Sequence, residues 1–362
     1  MKILHLQGDA KEIGRQHGEQ GKDEIIKNLE IYERLFYGFQ GINWRTARER
    51  AKVHLPAIEA FDAALLEEMQ GVAEGAGIDL EDVLALNARS ELALAGDAPI
   101  VFPDGCTSIG TASPLTSDTI IGQNWDWKAE LKESLLMVKI KREKKPDIFM
   151  VTEGGIIGKI GCNEHSLGVC LNALMTDKKT SGVPIHLGLR SILDSSSLHE
   201  AMAKVQEGQM ASSANFLIGY SEGKHKGMAL HVEVSPFGIG ISNEDACYGV
   251  HTNHICTQDI LMHVADQNLL RFRDSVIRKR RAEQMIENAI QEKSEIDEFA
   301  FQRWLGDTFN APKSINRYIN NQAPEHLQTE TVFSIVMNLT SKDIYVCDGM
   351  PAHESYQKYS LP

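Results

Sequence analysis

The sequence has no long apolar segment. Across its 362 residues, no stretch approaches the roughly 18 uninterrupted hydrophobic residues that a bilayer-spanning helix needs. Its first residues, MKILHLQGDAKEIG, also lack the basic flank and apolar core of a secretory signal. We therefore expect a protein that has no membrane partner and acts in the cytoplasm.

Positive charge is the minority charge. Lys and Arg number 37 against 50 Asp and Glu, which gives a formal net charge of −13. A surface of this sign repels polyanions, so we expect no nucleic-acid partner. The one basic run, RFRDSVIRKRR at 271–281, continues into interleaved acids. We interpret it as the solvated face of a long helix over about 265–291, with an anion site as the minor alternative.

The six cysteines lack the CxxC spacing of a zinc ribbon, and their scatter argues against a disulfide framework. The segment HTNHIC contains His251, His254 and Cys256. If HTNH is a strand, the two histidines point to opposite faces, and we predict no metal site. Five thiols are expected to be inert in the core: Cys162, Cys170, Cys247, Cys256 and Cys347.

Secondary-structure patterns change character near residue 105. The first hundred residues repeat apolar positions at helical period, whereas short β-branched and aromatic runs separated by turn residues follow. Strands at hairpin spacing, interrupted by pairs of helices, favour an α+β layered fold over regular βαβ alternation. We divide the chain into a helical segment, 1–105, and a strand-rich part, 106–362.

A cysteine follows the turn at this boundary. In VFPDGCTSIG, Gly105 gives the backbone conformational freedom and leaves Cys106 without a bulky neighbour on its N-terminal side. A thiol that attacks the preceding carbonyl shifts the acyl group from nitrogen to sulfur, and hydrolysis of that thioester frees Cys106 as a new N-terminus. The residue types alone leave open that Cys106 is an ordinary buried thiol.

The segment IIGQNWDW at 120–127 predicts the partner strand. Alternation places Asn124 and Asp126 on one face and Trp125 on the other. We expect this strand to form a hairpin with the strand that starts at Cys106, so that Asp126 lies near the new α-amino group. An ordinary exposed strand face is the alternative.

Ten stretches carry a resemblance to a known family, and their order covers nearly the whole chain. They are EIGRQHGEQ (12–20), LNARSEL (86–92), GCTSIG (105–110), GQNWDW (122–127), GGIIGKIGCNEHSLGVCLNAL (154–174), GVPIHLGLRSIL (182–193), ASSANFLIGYSEG (211–223), VHTNH (250–254), FNAPKSINR (309–317) and TVFSIVMNL (331–339). On these motifs the chain resembles the isopenicillin N acyltransferase-like family of N-terminal nucleophile (Ntn) hydrolases, of the autoproteolytic cysteine type.

The resemblance implies the site residues. Cys106 would be the nucleophile released by cleavage of the Gly105–Cys106 bond, Asp126 its partner, Asn253 the oxyanion donor and Arg317 a second charged group. Next to Arg317, this chain has Asn316 where such families more often have cysteine. Thr107 and Asn124 are predicted to bind substrate.

The resemblance also implies a fold and an activity. We expect a four-layer αββα sandwich of two antiparallel sheets flanked by helices, cut into two fragments that stay together as a heterodimer. The predicted enzyme acts on the amide bond of a small N-acylated substrate through a Cys106 thioester. No cofactor is expected, and coenzyme A is one candidate for the acyl-donor substrate. Homo-oligomerisation is left open.

Three alternatives remain from the sequence. Two are enzymes, a penicillin V or bile-salt acylase-like hydrolase and a β-alanyl-amine-type amidohydrolase. The third is an uncut binding protein with the same fold. Outside the site, we predict a structural buried pair between Arg89 and Glu91 and a packed or capping His17.

Overall fold

The computed structural model describes residues 1–93, 105–206, 208–243, 246–271, 273–323 and 327–361. The strands are β1 (Lys2–Gln7), β2 (Gly105–Thr111), β3 (Ile120–Trp127), β4 (Leu135–Lys141), β5 (Ile148–Glu153), β6 (Ile160–Asn163), β7 (Leu167–Ala173), β8 (Ala214–Ser221), β9 (Gly227–Ser235), β10 (Gly238–Ile241), β11 (Tyr248–His251), β12 (Glu330–Asn338), β13 (Asp343–Cys347) and β14 (Gln357–Ser360). The helices are α1 (Ala10–Gln20), α2 (Lys22–Gln40), α3 (Trp44–Ala51), α4 (Leu55–Ala76), α5 (Leu80–Asn87), α6 (Arg89–Ala93), α7 (Ile185–Leu193), α8 (Leu198–Ala203), α9 (Gln258–Leu261), α10 (Gln267–Arg271), α11 (Asp274–Glu292) and α12 (Glu298–Leu305).

The strands form two sheets. An eight-stranded sheet has the order β1-β4-β5-β6-β7-β8-β9-β10, and a six-stranded sheet has the order β11-β2-β3-β12-β13-β14. Pairing is antiparallel except between β1 and β4, which run parallel. Because β2 and β3 contact β7 and β8, the two sheets pack face to face.

Helices cover both outer faces. The helices α1, α2 and α7 pack on the eight-stranded sheet, and α11 and α12 pack on the six-stranded sheet. Every residue of β2, β3 and β12 is therefore buried, with one face against the other sheet and one against helices. The predicted α+β sandwich of four layers, αββα, is confirmed.

Small residues let the first layer pack closely. Asp9 caps the first turn of α1 by accepting the backbone N–H of Glu12 at 2.9 Å. On α1, Gly14 and Gly18 lie against the α4 backbone with no room for a Cβ atom. The glycines therefore set how deeply these two helices approach each other.

Two elements differ from the expectations. The helical segment begins with a strand, β1, whose inward residues Leu4 and Leu6 join the core of the eight-stranded sheet. The long helix expected over 265–291 is divided into α10 and α11. Within the described ranges, no helix combines the length and apolarity that crossing a bilayer requires.

Candidate active site

The β2–β3 hairpin organises the site, and the predicted pairing of these strands is confirmed. Cys106 lies opposite Trp125, and Gly105 lies opposite Asp126. Directly opposed residues point to the same side of an antiparallel pair. The thiol of Cys106 and the indole of Trp125 therefore face the other sheet, whereas Gly105 and Asp126 lie on the side covered by helices.

Asn253 reaches the backbone of Cys106 from the loop that follows β11. Its Oδ1 accepts the peptide N–H of Cys106 at 2.8 Å, and its Nδ2 donates to the carbonyl of Ala173 at 3.1 Å. Its own backbone is held as well, because N–H donates to Ser275 Oγ at 2.8 Å and C=O accepts from Asn268 Nδ2 at 2.8 Å. The side chain is thus fixed at the edge of both sheets.

Arg278 contacts the Cys106 backbone, and the sequence interpretation missed it. It is 1% exposed, on the inner face of α11. Its Nη1 donates to the carbonyl of Cys106 at 2.6 Å and to Thr107 Oγ1 at 3.0 Å, and its Nη2 donates to Asn253 Oδ1 at 3.0 Å. One guanidinium therefore binds three groups at and beside Cys106.

The interpretation of 271–281 as a solvated face was wrong at the buried residues Asp274, Ser275 and Arg278. Arg280 is exposed and pairs with Glu287. Arg278 shares a spacing of four with Ala282 and Ile286, both fully buried. That spacing is the signal that would have placed Arg278 on the buried face.

Acidic and basic side chains alternate on the helix side of the hairpin. Arg317 Nε lies 3.4 Å from Asp126 Oδ2, and Arg317 Nη2 donates to Asp274 Oδ2. Asp274 in turn lies 3.4 Å from Arg278 Nε. Burial raises the pKa of Asp274, but the two arginines outweigh it and leave the pKa below its usual value. This chain of ion pairs connects Asp126 to the Arg278 guanidinium, which donates to the Cys106 carbonyl.

Gly105 packs against the Arg317 and Asp126 side chains of this chain of ion pairs. A Cβ atom at residue 105 would lie 2.8 Å from Asp126 Oδ2 and closer still to Arg317 Nε. Asp126 is oriented by Thr331, whose hydroxyl donates to Oδ1 at 2.7 Å. The residue before Cys106 therefore lies against both charged side chains that the resemblance places in the site.

The two residues predicted to bind substrate lie on the helix side, away from the thiol face. Asn124 Nδ2 donates to the carbonyls of Leu305 and Ile315, at 2.8 and 3.0 Å. Thr107 accepts from Arg278. The described contacts of both residues support neighbouring backbone and side chains, and substrate binding by them stays a prediction.

A buried ionic cluster contacts Trp125 on the sheet face that also carries the Cys106 thiol. Lys159 Nζ lies 3.3 Å from the centroid of the Trp125 ring and pairs with Glu153. Glu153 also accepts from Tyr32 at 2.6 Å and pairs with Arg89 at 3.2 Å. Burial lowers the pKa of Lys159 to about 7, against the opposing effect of Glu153. The sequence interpretation did not single out Lys159 or Glu153.

This cluster corrects the predicted partner of Arg89. Arg89 pairs with Glu153 rather than Glu91. Glu91 Oε1 instead accepts from Ser212 Oγ at 2.6 Å and from the backbone N–H of Ile185 at 3.0 Å. Arg89 and Glu91 are both buried, as predicted, but each binds a different partner.

The segment HTNHIC also differs from its prediction. The strand β11 ends at His251, so strand alternation does not decide where Asn253 and His254 point. Cys256 follows in the loop, is solvent-accessible, and lies beside His251. Burial raises the pKa of its thiol, but His251 outweighs it and brings the pKa to about 6. Cys256 is therefore not an inert core thiol, and Cys247 is only partly buried.

Comparison with known proteins identifies the family of this chain. Residues 115–353 match the family described as acyl-coenzyme A:6-aminopenicillanic acid acyl-transferase. The acyl-coenzyme A:6-aminopenicillanic-acid-acyltransferase 40 kDa form of Emericella nidulans is 32% identical over 361 residues, covering 96% of this chain and 93% of that protein.

A solved structure shares the fold at low sequence identity. A mutant of conjugated bile acid hydrolase from Clostridium perfringens aligns with a TM-score of 0.50 and 13% identity, covering 71% of this chain and 92% of that one. With a match over about two thirds of its length and a relative at 32% identity, the chain belongs to the acyl-coenzyme A:6-aminopenicillanic acid acyl-transferase family, with an Ntn-hydrolase fold.

Proposed function

We propose that this protein cleaves itself before Cys106 and then processes acyl amides through a thioester on the Cys106 sulfur. The observation that carries the proposal is that two side chains hydrogen-bond to the Cys106 backbone. Asn253 binds its peptide nitrogen at 2.8 Å, and Arg278 binds its carbonyl oxygen at 2.6 Å. These contacts fix the residue whose nitrogen must become the free α-amine.

Self-cleavage would be an acyl shift followed by hydrolysis. The Cys106 sulfur attacks the Gly105 carbonyl carbon, the bond from that carbon to the Cys106 nitrogen breaks, and the thiol proton passes to the departing nitrogen. Water then hydrolyses the thioester, which leaves a carboxylate on Gly105 and a free amine on Cys106. Arg317 and Asp126 lie against Gly105, where they orient the scissile unit.

The freed α-amine would serve as the base for turnover. An α-amine has a pKa of roughly 7.7–8.0 and a thiol one of about 8.5, so the amine accepts the thiol proton near neutral pH. Asn253 Oδ1 would keep holding that nitrogen. The second N–H of Asn253 Nδ2, beyond the one that binds Ala173, would donate to the oxyanion.

Cleavage would also open the site. In the uncut chain Cys106 and Asn253 are each 1% exposed, so substrate cannot reach the thiol. The two fragments would remain together, because β1 pairs with β4 along six residues and His17 accepts the backbone N–H of Gly155 at 3.2 Å. A heterodimer is the proposed mature form.

The proposed substrates are small N-acylated molecules, by analogy with the acyltransferase of Emericella nidulans. Amide cleavage would leave the acyl group on Cys106 and release the amine. The thioester would then pass to water or to an amine or thiol acceptor, and coenzyme A thioesters would load the same sulfur. Acceptor choice depends on how well the pocket excludes water.

Intact-mass spectrometry tests the cut. Cleavage leaves 105 residues and the remaining 257 of 362, or about 12 and 28 kDa of the 40.2 kDa chain. We expect these fragments to co-purify, and Cys106→Ala to stay whole and inactive. A wild-type chain that stays whole yet hydrolyses amides at full rate contradicts the proposal.

A substrate panel tests the chemistry. Purified protein is incubated with N-acyl amides of varied acyl chain, with and without coenzyme A, and both released amine and acyl-coenzyme A are quantified. Amine release without coenzyme A indicates hydrolysis, whereas formation of acyl-coenzyme A indicates transfer. A chain that stays uncut and turns over no member of the panel would favour the alternative of an uncut binding protein.

A further inference from the structure

Three side chains of metal-binding type converge beside the loop that carries Asn253. Glu233 comes from β9, His251 ends β11, and Cys256 lies five residues later. One carboxylate oxygen, one imidazole nitrogen and the sulfur all lie within 4.8 Å of one another. Sequence spacing hid this group, because Glu233 is 18 residues before His251 and belongs to the other sheet.

The imidazole of His251 is oriented as a metal ligand would be. Its Nδ1 donates to the backbone carbonyl of Thr252 at 2.9 Å. This contact leaves Nε2 as the nitrogen that faces the cluster, where it lies 2.7 Å from Glu233 Oε1. A histidine that gives its second ring N–H to a carbonyl is the usual outer contact of a metal-bound imidazole.

Glu233 is positioned in the same way. Its Oε2 accepts both the backbone N–H of Thr257, at 2.9 Å, and the Thr257 hydroxyl. Its Oε1 accepts the backbone N–H of Cys256 at 2.6 Å and faces His251. The outer oxygen is thus anchored, and the inner oxygen faces the imidazole of His251.

We propose that Glu233, His251 and Cys256 bind a divalent ion of the zinc class. Nitrogen, sulfur and carboxylate oxygen are the ligands that Zn²⁺ takes, at about 2.0–2.3 Å. A thiolate and a carboxylate together neutralise its charge. Metal entry requires His251 Nε2 to give up its proton. Its distance from Glu233 Oε1 must also widen from 2.7 Å to about 3.3 Å, the spacing of two ligands of a tetrahedral ion. Because Cys256 is solvent-accessible, water would complete a four-coordinate site.

Such an ion would brace the loop that holds the nucleophile. Asn253 lies between the ligands His251 and Cys256, so the ion would connect both ends of its loop to β9. The metal would therefore act on the position of Asn253 rather than on substrate. This inference is independent of the proposed reaction, because binding is measured without substrate.

Cobalt provides the direct test. Chelator-treated full-length protein is titrated with Co²⁺, and thiolate-to-cobalt charge-transfer absorption is followed in the near ultraviolet. We expect saturation at one equivalent, loss of the band in Cys256→Ser, and displacement by Zn²⁺. Cys247→Ser, at the other incompletely buried thiol, and Cys106→Ala should keep the band. No band in wild type, or a band retained in Cys256→Ser, overturns the proposal.

Alkylation of unmodified protein gives a second readout that does not depend on a variant folding. Iodoacetamide labelling of Cys256 and Cys247 is compared by peptide mass spectrometry in the same sample, with and without Zn²⁺. A metal-bound sulfur is masked, so Zn²⁺ should slow labelling of Cys256 by about tenfold or more and leave Cys247 unchanged. Equal labelling of Cys256 in both samples contradicts a zinc site.

Discussion

The guanidinium of Arg317 covers the Cα atom of Gly105. No Cβ fits between them, and Asp126 closes the same space from the opposite strand. The glycine of the GCTSIG motif is therefore required by a specific close approach, in addition to any conformational freedom. This relationship connects the residue before the predicted cut with both charged side chains of the site.

Gly105→Ala should slow self-cleavage by about tenfold or more, because its methyl group must displace Arg317 or Asp126 from the scissile unit. The fraction of cut chain is measured by intact mass at fixed times after synthesis. Gly306→Ala is the matched control, since a Cβ there meets its neighbours at 3.3–3.5 Å. Equal cleavage in both variants would show that the packing at Gly105 does not matter for the cut.

Asn253 has separate acceptor and donor roles that two variants distinguish. Asn253→Asp keeps an oxygen for Cys106 N–H and Arg278 but removes the amide N–H groups. We expect kcat on cut protein to fall on the order of a hundredfold in Asn253→Asp and Asn253→Ala alike. Thermal stability should fall further in Asn253→Ala, which also loses the acceptor. Full turnover in Asn253→Asp would remove Asn253 as the oxyanion donor.

Local patterns predicted the hairpin but could not predict what packs on it. Alternation within IIGQNWDW correctly separated Trp125 from Asp126, because strand neighbours decide which face a residue takes. The spacing of Arg278 with Ala282 and Ile286 indicates that Arg278 lies on the buried face of α11. Its contacts with Cys106 and Asn253 depend on the docking of α11 on β2, which no local pattern predicts.

The sequence did not show where β11 ends. The positions of Asn253 and of the proposed metal ligands could therefore not be predicted from strand alternation. The pattern VHTNH suggested continued alternation, but β11 stops at His251 and the chain turns into a loop. That turn brings Cys256 back to His251 and carries Asn253 toward Cys106. Hydrogen bonds from the Asn253 backbone to Ser275 and Asn268 hold the turn, and these partners are remote from any local sequence signal.

Arg278→Lys should lower kcat by about tenfold or more. Lysine keeps the charge, but its single ammonium cannot present the planar fork that reaches the Cys106 carbonyl, Thr107 and Asn253 together. Arg280→Lys on the same helix is the matched control, because its side chain is 63% exposed and should tolerate the change. Steady-state rates of the two cut variants are compared. Matching rates would remove Arg278 from the machinery.

Protonation of His17 should weaken the hold between the two halves of the chain. His17 Nε2 accepts the backbone N–H of Gly155, which requires the neutral ring, and burial together with Arg190 lowers the pKa of His17 to about 4. An unfolded histidine has a pKa of about 6.5, so between about pH 6.5 and pH 4 the unfolded state binds more protons. The free energy of unfolding should therefore fall as the pH falls through this range.

Urea unfolding of the uncut Cys106→Ala chain at pH 7 and pH 5 measures this loss. His17 should account for about 2 kcal/mol of the decrease, because the folded ring stays neutral while the unfolded ring takes up a proton. His17→Gln keeps an oxygen that accepts from Gly155 but does not titrate, so its decrease should be smaller by that amount. His199→Gln, at an exposed histidine, should match the parent chain. Equal pH dependence in His17→Gln and the parent would show that His17 is not held neutral.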